Sequence, residues 1–213
     1  MDFSLFTQEV SKIKKLELPG VESHYKMAPM ERLDALKKLV RKDIAPRKAG
    51  VMALFYPKAN RETHLLLILR NTYPGVHSNQ IGFPGGKQED TDENLLHTAL
   101  RETEEEVGVP PSQVTVVREL SQLYIPPSNF EVQPYIGLYH EARPFIVDTT
   151  EVAALVEVSL NQFMDESIVK HKIMTTSYAS SIAVPAFILN GYTVWGATAM
   201  MLSEIKELFK QSL

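Results

Sequence analysis

The chain has no cysteine among its 213 residues, which excludes disulfides and a thiolate metal site and fits a cytoplasmic address. No apolar stretch approaches the ~18 residues that a bilayer-spanning helix needs, so no membrane segment is expected. The opening MDFSLFTQEV lacks a basic stretch followed by an apolar one, so no secretory signal is expected either. Basic residues are in the minority: 22 Lys and Arg against 26 Asp and Glu give a formal charge of −4. That balance offers no electrostatic footprint for duplex nucleic acid. Tryptophan occurs once, at Trp195. Internal repeats and low-complexity tracts are lacking. What remains is an ordinary globular composition, 44% hydrophobic and 23% charged. The length suits one domain with an addition, here a helical extension over residues 1–45 ahead of a domain over residues 46–213.

Charge is unevenly spread. Between Lys87 and Glu106 lie eight acids and two bases, a local charge of −6 in a chain whose total is −4. Helical periodicity runs from about Asn94 to Val107, with Asp92 as the expected N-cap and Gly108 plus Pro110 as the stop. With Glu102 at the origin and about 100° per residue, Glu105 falls at about 300° and Glu106 at about 40°. Leu96, Ala99, Leu100, Thr103 and Val107 fill the adjoining sector, from about 60° to about 160°, and form the stripe expected to be buried. Glu104, at about 200°, is an ordinary solvated acid in this reading.

Like charges four residues apart cost a helix a few tenths of a kcal/mol per pair. Three carboxylates beside a core stripe therefore want a cation. Hard oxygen ligands suit Mg²⁺ or Mn²⁺ better than zinc. The Gly85–Gly86 pair permits close backbone approach, and a carbonyl there, at Gly86, could join the cation's shell. Arg101 flanks Glu105 on the wheel and could hold that carboxylate in orientation. On these residues alone, a cation site and a solvated acidic face both stand.

The segment Gly86–Val109 resembles the Nudix box, G-x5-E-x7-R-E-U-x-E-E-x-G-U with U apolar. Arg101, Glu102, Glu105, Glu106, Gly108 and Val109 match its second half, with Thr103 at the first apolar position. In the first half the loop is one residue longer than the general pattern, so either Asp92 or Glu93 takes the place of the first acid. The longer loop resembles the coenzyme A pyrophosphatase branch. So does the upstream stretch LLILRNTYPGVHSNQIGFPGG, in which Arg70, His77, Gln80, Phe83, Pro84, Gly85 and Gly86 match that branch in register. Asn71, Gly75 and Asn79 depart from it; at Gly75 the branch carries a second arginine. The resemblance runs over roughly residues 50–205 and is strongest over 81–109.

The resemblance implies the Nudix fold, an α/β class with a mixed β-sheet sandwiched between α-helices. It implies a metal set of Glu102, Glu105, Glu106 and Gly86 for Mg²⁺ or Mn²⁺. Glu102, Glu105 and Arg101 would be the catalytic residues, and Arg70, His77 and Lys87 the substrate-binding ones. The substrate would be a small nucleoside diphosphate derivative related to coenzyme A, with no nucleic acid or membrane partner. A homodimer is left open. The alternatives are a pyrophosphatase for ADP-ribose or another such derivative, and a silent nucleotide-binding Nudix module. Glu151 is a weaker candidate ligand, with a structural salt bridge as its alternative role.

Elsewhere the pattern predicts helices over residues 4–15, 30–40, 160–164 and 195–210. Strands are predicted over 50–57, 64–70, 114–124, 130–140, 152–158, 169–176 and 184–189, with Asn190–Gly191 as a tight turn. Tyr124 and Phe130 are expected under a loop, Ser128 in a turn, and Trp195 as an anchor at the start of the last helix.

Overall fold

The computed structural model describes residues 1–29, 45–71, 79–174 and 181–213. The predicted helix over residues 30–40 lies outside them, as do His77, Gly75 and the end of the predicted strand over 169–176.

The central sheet grows outward from β1 (Arg47–Pro57), which runs parallel to β7 (Phe130–Tyr139) and antiparallel to β2 (Thr63–Arg70) and β4 (Gly85–Lys87). Beyond β2 lie β3 (Ile81–Gly82) and β8 (Val152–Ser159). Beyond β7 lie β5 (Val114–Glu119) and β6 (Leu123–Ile125). The stretch predicted as one strand over 114–124 is therefore two, β5 and β6. Leu120 donates its backbone N–H to Pro134 and Ser121 turns its own toward Glu204, which breaks the ladder between them. A second sheet of three antiparallel strands is formed by β9 (Val169–Met174), β10 (Ile182–Leu189) and β11 (Tyr192–Val194).

Both faces of the central sheet are covered, so its inner strands read as continuous apolar runs rather than alternating ones. Along β1, Ala53 and Phe55 point to one face and Met52, Leu54 and Tyr56 to the other. The first face packs on α1 (Phe3–Val10) and α5 (Gly196–Phe209), where Phe6, Phe55 and Phe209 stack within 5.1–5.5 Å of one another. The second packs on α3 (Leu95–Val107) through Ala99 and Val107. Helices thus lie on both sides of a mixed sheet, the α/β/α sandwich that the sequence implied. Two short helices complete the described fold, α2 (Gly20–Tyr25) and α4 (Leu160–Met164). The predicted helix over 4–15 is α-helical to Val10 and tightens to a 3-10 turn over Ser11–Lys15.

Three details place α3. Gly50 of β1 lies so near the helix that a Cβ there would come within 2.1 Å of the Leu95 carbonyl oxygen. Gly108, at φ +72°, ends the helix in the left-handed conformation, as expected. The N-cap is Asn94, whose side chain accepts the His97 N–H at 2.9 Å, and not Asp92. Asp92 is drawn away by a stronger partner, Arg101.

Candidate active site

Arg101 is the hub of the site. Its Nε and Nη2 donate to the two carboxylate oxygens of Asp92, each at 3.0 Å, a two-pronged fork. Nη1 donates to Glu105 at 2.8 Å, and Nη2 also meets Glu102 at 3.0 Å and the Lys87 carbonyl at 3.3 Å. The Asp92 side chain is fully buried, and Thr98 Oγ1 and the Glu89 N–H donate to it as well. These hydrogen bonds, led by Arg101, hold the Asp92 carboxyl well below the usual carboxylate range, and Asp92 in turn holds the guanidinium firmly protonated. Glu93 is exposed, and its backbone N–H donates to His97 Nδ1. Of the two acids left open by the longer loop, Asp92 is therefore the one built into the site. Its partnership with Arg101 escaped the sequence reading. The available signal was an arginine on a helix face otherwise crowded with acids.

The three glutamates share a face but not an environment. Glu105 is 56% exposed at its side chain, Glu102 14% and Glu106 1%. Burial raises Glu102 above its ordinary value, Arg101 opposes that, and the charges of Glu105 and Glu151 add to it. Glu106 is pushed up to about 7 by burial, against the pull of Arg70 and the Gly85 N–H. Arg70 Nη1 donates to Glu106 Oε1 at 3.0 Å and to the Gly85 carbonyl at 3.2 Å, and the Gly85 N–H donates to Glu106 Oε2 at 2.9 Å. Lys87 is exposed beside this loop, and Glu104 is exposed on the far side of the helix. Glu151, exposed at the entry to β8, has no ion pair among the described residues, yet its charge reaches both Glu102 and Glu106.

Ser128 sits in a turn, with Oγ donating to the Ile125 carbonyl at 3.5 Å. Tyr124 donates to Asn129, Phe130 lies 4.1 Å beneath the Arg47 guanidinium, and Trp195 directly precedes α5. None of these faces the glutamates through a contact in the described structure.

The donor set suits a hard divalent cation. It holds oxygens only, and two of its carboxyl groups are raised by burial and by like-charged neighbours, a strain that a cation relieves. Gly86 adds a cradle: a Cβ there would come within 2.3 Å of the Glu102 carboxylate, so only glycine lets that carboxylate lie against the loop. The resting contacts are arginines, and among the described residues no three acidic or histidine side chains already surround one point.

The family model described as the NUDIX domain matches residues 46–176. Over 156 residues the chain is 33% identical to a Yersinia enterocolitica protein named "Uncharacterized Nudix hydrolase NudL", covering 68% of this chain and 74% of that protein. A Yersinia pestis protein of the same name is 31% identical over 156 residues, with 68% and 72% covered. Among solved structures, the Nudix hydrolase RenU from M. smegmatis superposes with a TM-score of 0.53 at 17% identity, covering 78% of this chain and 87% of that one. A MutT/nudix family protein from Enterococcus faecalis gives 0.51 at 14% identity, with 92% and 76% covered. Identities this low speak for the fold alone.

With the family model and the relatives it matches, an α/β/α sandwich that sets an acidic helix against a Gly–Gly loop belongs to the diphosphate-cleaving class of hydrolases. The chain belongs to the Nudix family, whose members generally use divalent metals. Among the described residues no helix is long and apolar enough to cross a membrane.

Proposed function

We propose that this Nudix hydrolase cleaves the diphosphate of coenzyme A or its derivatives, giving 3′,5′-ADP and 4′-phosphopantetheine. Residues 46–213 would be the catalytic domain and residues 1–45 its helical extension, acting in the cytoplasm. The observation that carries the reading is the Phe83–Gly86 loop locked to the acidic helix, with Gly86 against Glu102 and the longer turn absorbed by the Asp92–Arg101 fork. In this chain the loop follows a stretch in register with the coenzyme A branch.

In this reading Glu102, Glu105, Glu106 and the Gly86 carbonyl hold Mg²⁺ or Mn²⁺. When bound, the cation offsets the diphosphate's charge and acidifies water. Glu102, mostly sheltered and raised by burial, accepts the proton from the attacking water. Arg101 keeps Glu102 and Glu105 aimed, and Asp92 keeps Arg101 aimed. Lys87, exposed at the loop, meets the phosphates. His77 shares that expected role but lies outside the described residues.

The test is turnover by the purified protein, with Mg²⁺ or Mn²⁺, of coenzyme A, ADP-ribose and a dinucleotide in parallel. Coenzyme A should have the highest kcat/KM. ADP-ribose turned over equally well or better would favour the alternative pyrophosphatase, a reading to which the loss of a basic residue at Gly75 lends support. Glu105→Gln should lower hydrolysis on the order of 100-fold, the scale of losing one preorganised charged group. Glu104→Gln should stay within about two-fold of wild type, as expected for a surface change away from the site.

A further inference from the structure

Arg70 ends β2 at a point where the pairing with β8 slips: Leu69 lies opposite Ala154 but Arg70 opposite Val152. Such a bulge re-aims a side chain. Here the backbone is pinned on both sides of it, with Arg70 N–H on the Gln80 carbonyl at 3.0 Å and Asn71 N–H on the Glu151 carbonyl at 2.8 Å. The guanidinium is thereby delivered to Glu106 on α3 and to the peptide of Gly85 on β4. Glu106 closes the ring by accepting the Gly85 N–H. Three elements far apart in sequence thus meet in one cycle of hydrogen bonds.

Pairing with β1 holds the loop at Pro84 and Gly86; what Arg70 and Glu106 add is a hold on the N–H and carbonyl of Gly85. Its φ of +145° is open only to glycine, and a Cβ would come within 2.4 Å of the Gly50 carbonyl oxygen, so the loop can be fixed only through its backbone. Glu106 has the converse problem. At 1% exposure it is a buried carboxylate whose charged partner is Arg70, and without a bound cation an arginine that turned toward a diphosphate would leave it unpaired.

We propose that Arg70 is a positioning residue, holding Glu106 and the Gly85–Gly86 peptide as one ligand unit, and that it does not itself bind the diphosphate. The inference rests on the reading of Glu106 and Gly86 as cation ligands, and it departs from the sequence expectation that Arg70 binds substrate. Residues behind metal ligands of this kind typically change affinity or activity by roughly 10- to 100-fold when removed.

The experiment measures Mn²⁺ binding to the full chain by calorimetry, with no diphosphate present, for wild type, Arg70→Gln, Arg70→Lys, Glu106→Gln and the double variant Arg70→Gln/Glu106→Gln. Arg70→Gln should weaken Mn²⁺ binding by roughly 10-fold or more, and Arg70→Lys, which keeps the charge but not the two-way geometry, by less. In the Glu106→Gln background, Arg70→Gln should have almost no further effect. At saturating Mn²⁺ the loss should appear in kcat, with KM moved by less than about two-fold, the signature of lost transition-state positioning. Should Arg70→Gln fail to fold, the Arg70→Lys readings decide by the same criteria. Mn²⁺ affinity unchanged or raised in the Arg70 variants, or a raised KM with kcat intact, overturns the inference and returns Arg70 to substrate binding. Mn²⁺ binding by Glu106→Gln equal to wild type overturns the ligand set itself, a separate outcome. The choice of diphosphate substrate affects none of the binding readings.

Discussion

Gly86 and Glu102 are 16 positions apart in sequence, yet the carboxylate lies where the glycine's side chain would be. That contact separates stability from activity at a single residue. In Gly86→Ala the new methyl would meet the Glu102 carboxylate at 2.3 Å, but this is the far end of a flexible side chain and can swing aside. Folding should lose little, about 1 kcal/mol or less on the scale of modest substitutions. Hydrolysis should fall by roughly 10-fold or more, because Glu102 leaves its aimed position. Thermal melts beside Mn²⁺-dependent turnover check this; parallel losses in both would mean that Glu102 does not act from that position. The sequence showed the acids and the glycines, because charge density and a doubled glycine are local signals. The wheel set Glu106, at about 40°, beside the stripe and Glu105, at about 300°, away from it, but it could not show what seals Glu106. The seal comes from Arg70 and the Gly85 peptide, brought in by strand pairing that leaves no periodic trace.

At the scale of elements, α3 is set by how closely it can dock on β1. A Cβ on Gly50 would meet the Leu95 carbonyl at 2.1 Å and the Ala99 nitrogen at 3.0 Å, both helix backbone that cannot step aside. Gly50→Ala should therefore lift the first turns of α3 off the sheet, at about 3 kcal/mol, the upper range for overpacking. Unlike Gly86→Ala, it should depress the urea midpoint and the activity together; an unchanged midpoint would show that the helix docks more loosely than the structure has it. The extent of α3 was readable to within a residue, as were β7, β8 and α4, because each carries its own period and stop signals. The N-cap was misread for an instructive reason. Asp92 and Asn94 are equally good caps by type, and only the long-range fork of Arg101 decides which one is left to cap.

Across the whole molecule, the two ends of the chain are joined beneath the sheet by one buried carboxylate. Glu204 of α5, fully buried, accepts from His24 Nε2 of α2 at 2.9 Å, from the Gly20 N–H at 3.3 Å and from the Ser121 N–H at 3.2 Å. The His24 contact spans 180 positions and had no counterpart in the sequence pattern. Burial alone would raise the Glu204 pKa, but the hydrogen bonds from His24 and Ser121 outweigh it, and the net shift is below the ordinary 4.5. A depressed folded-state value means the carboxylate stabilises the fold fully above the unfolded pKa, and that stabilisation is lost as the pH falls through the folded value. Glu204→Gln should thus cost about 3 kcal/mol near neutrality, where it leaves three donors, two on α2 and one between β5 and β6, without their charged acceptor. The gap between wild type and variant should then narrow as the pH is lowered from neutrality into the acid range, because protonation removes from the wild type the charge that the substitution already removed. Urea melts of both proteins across that range give the comparison. A gap that stayed constant with pH would mean that Glu204 contributes through packing rather than charge, leaving the N-terminal helices held to α5 by their apolar contacts and the exposed Lys26–Glu207 pair.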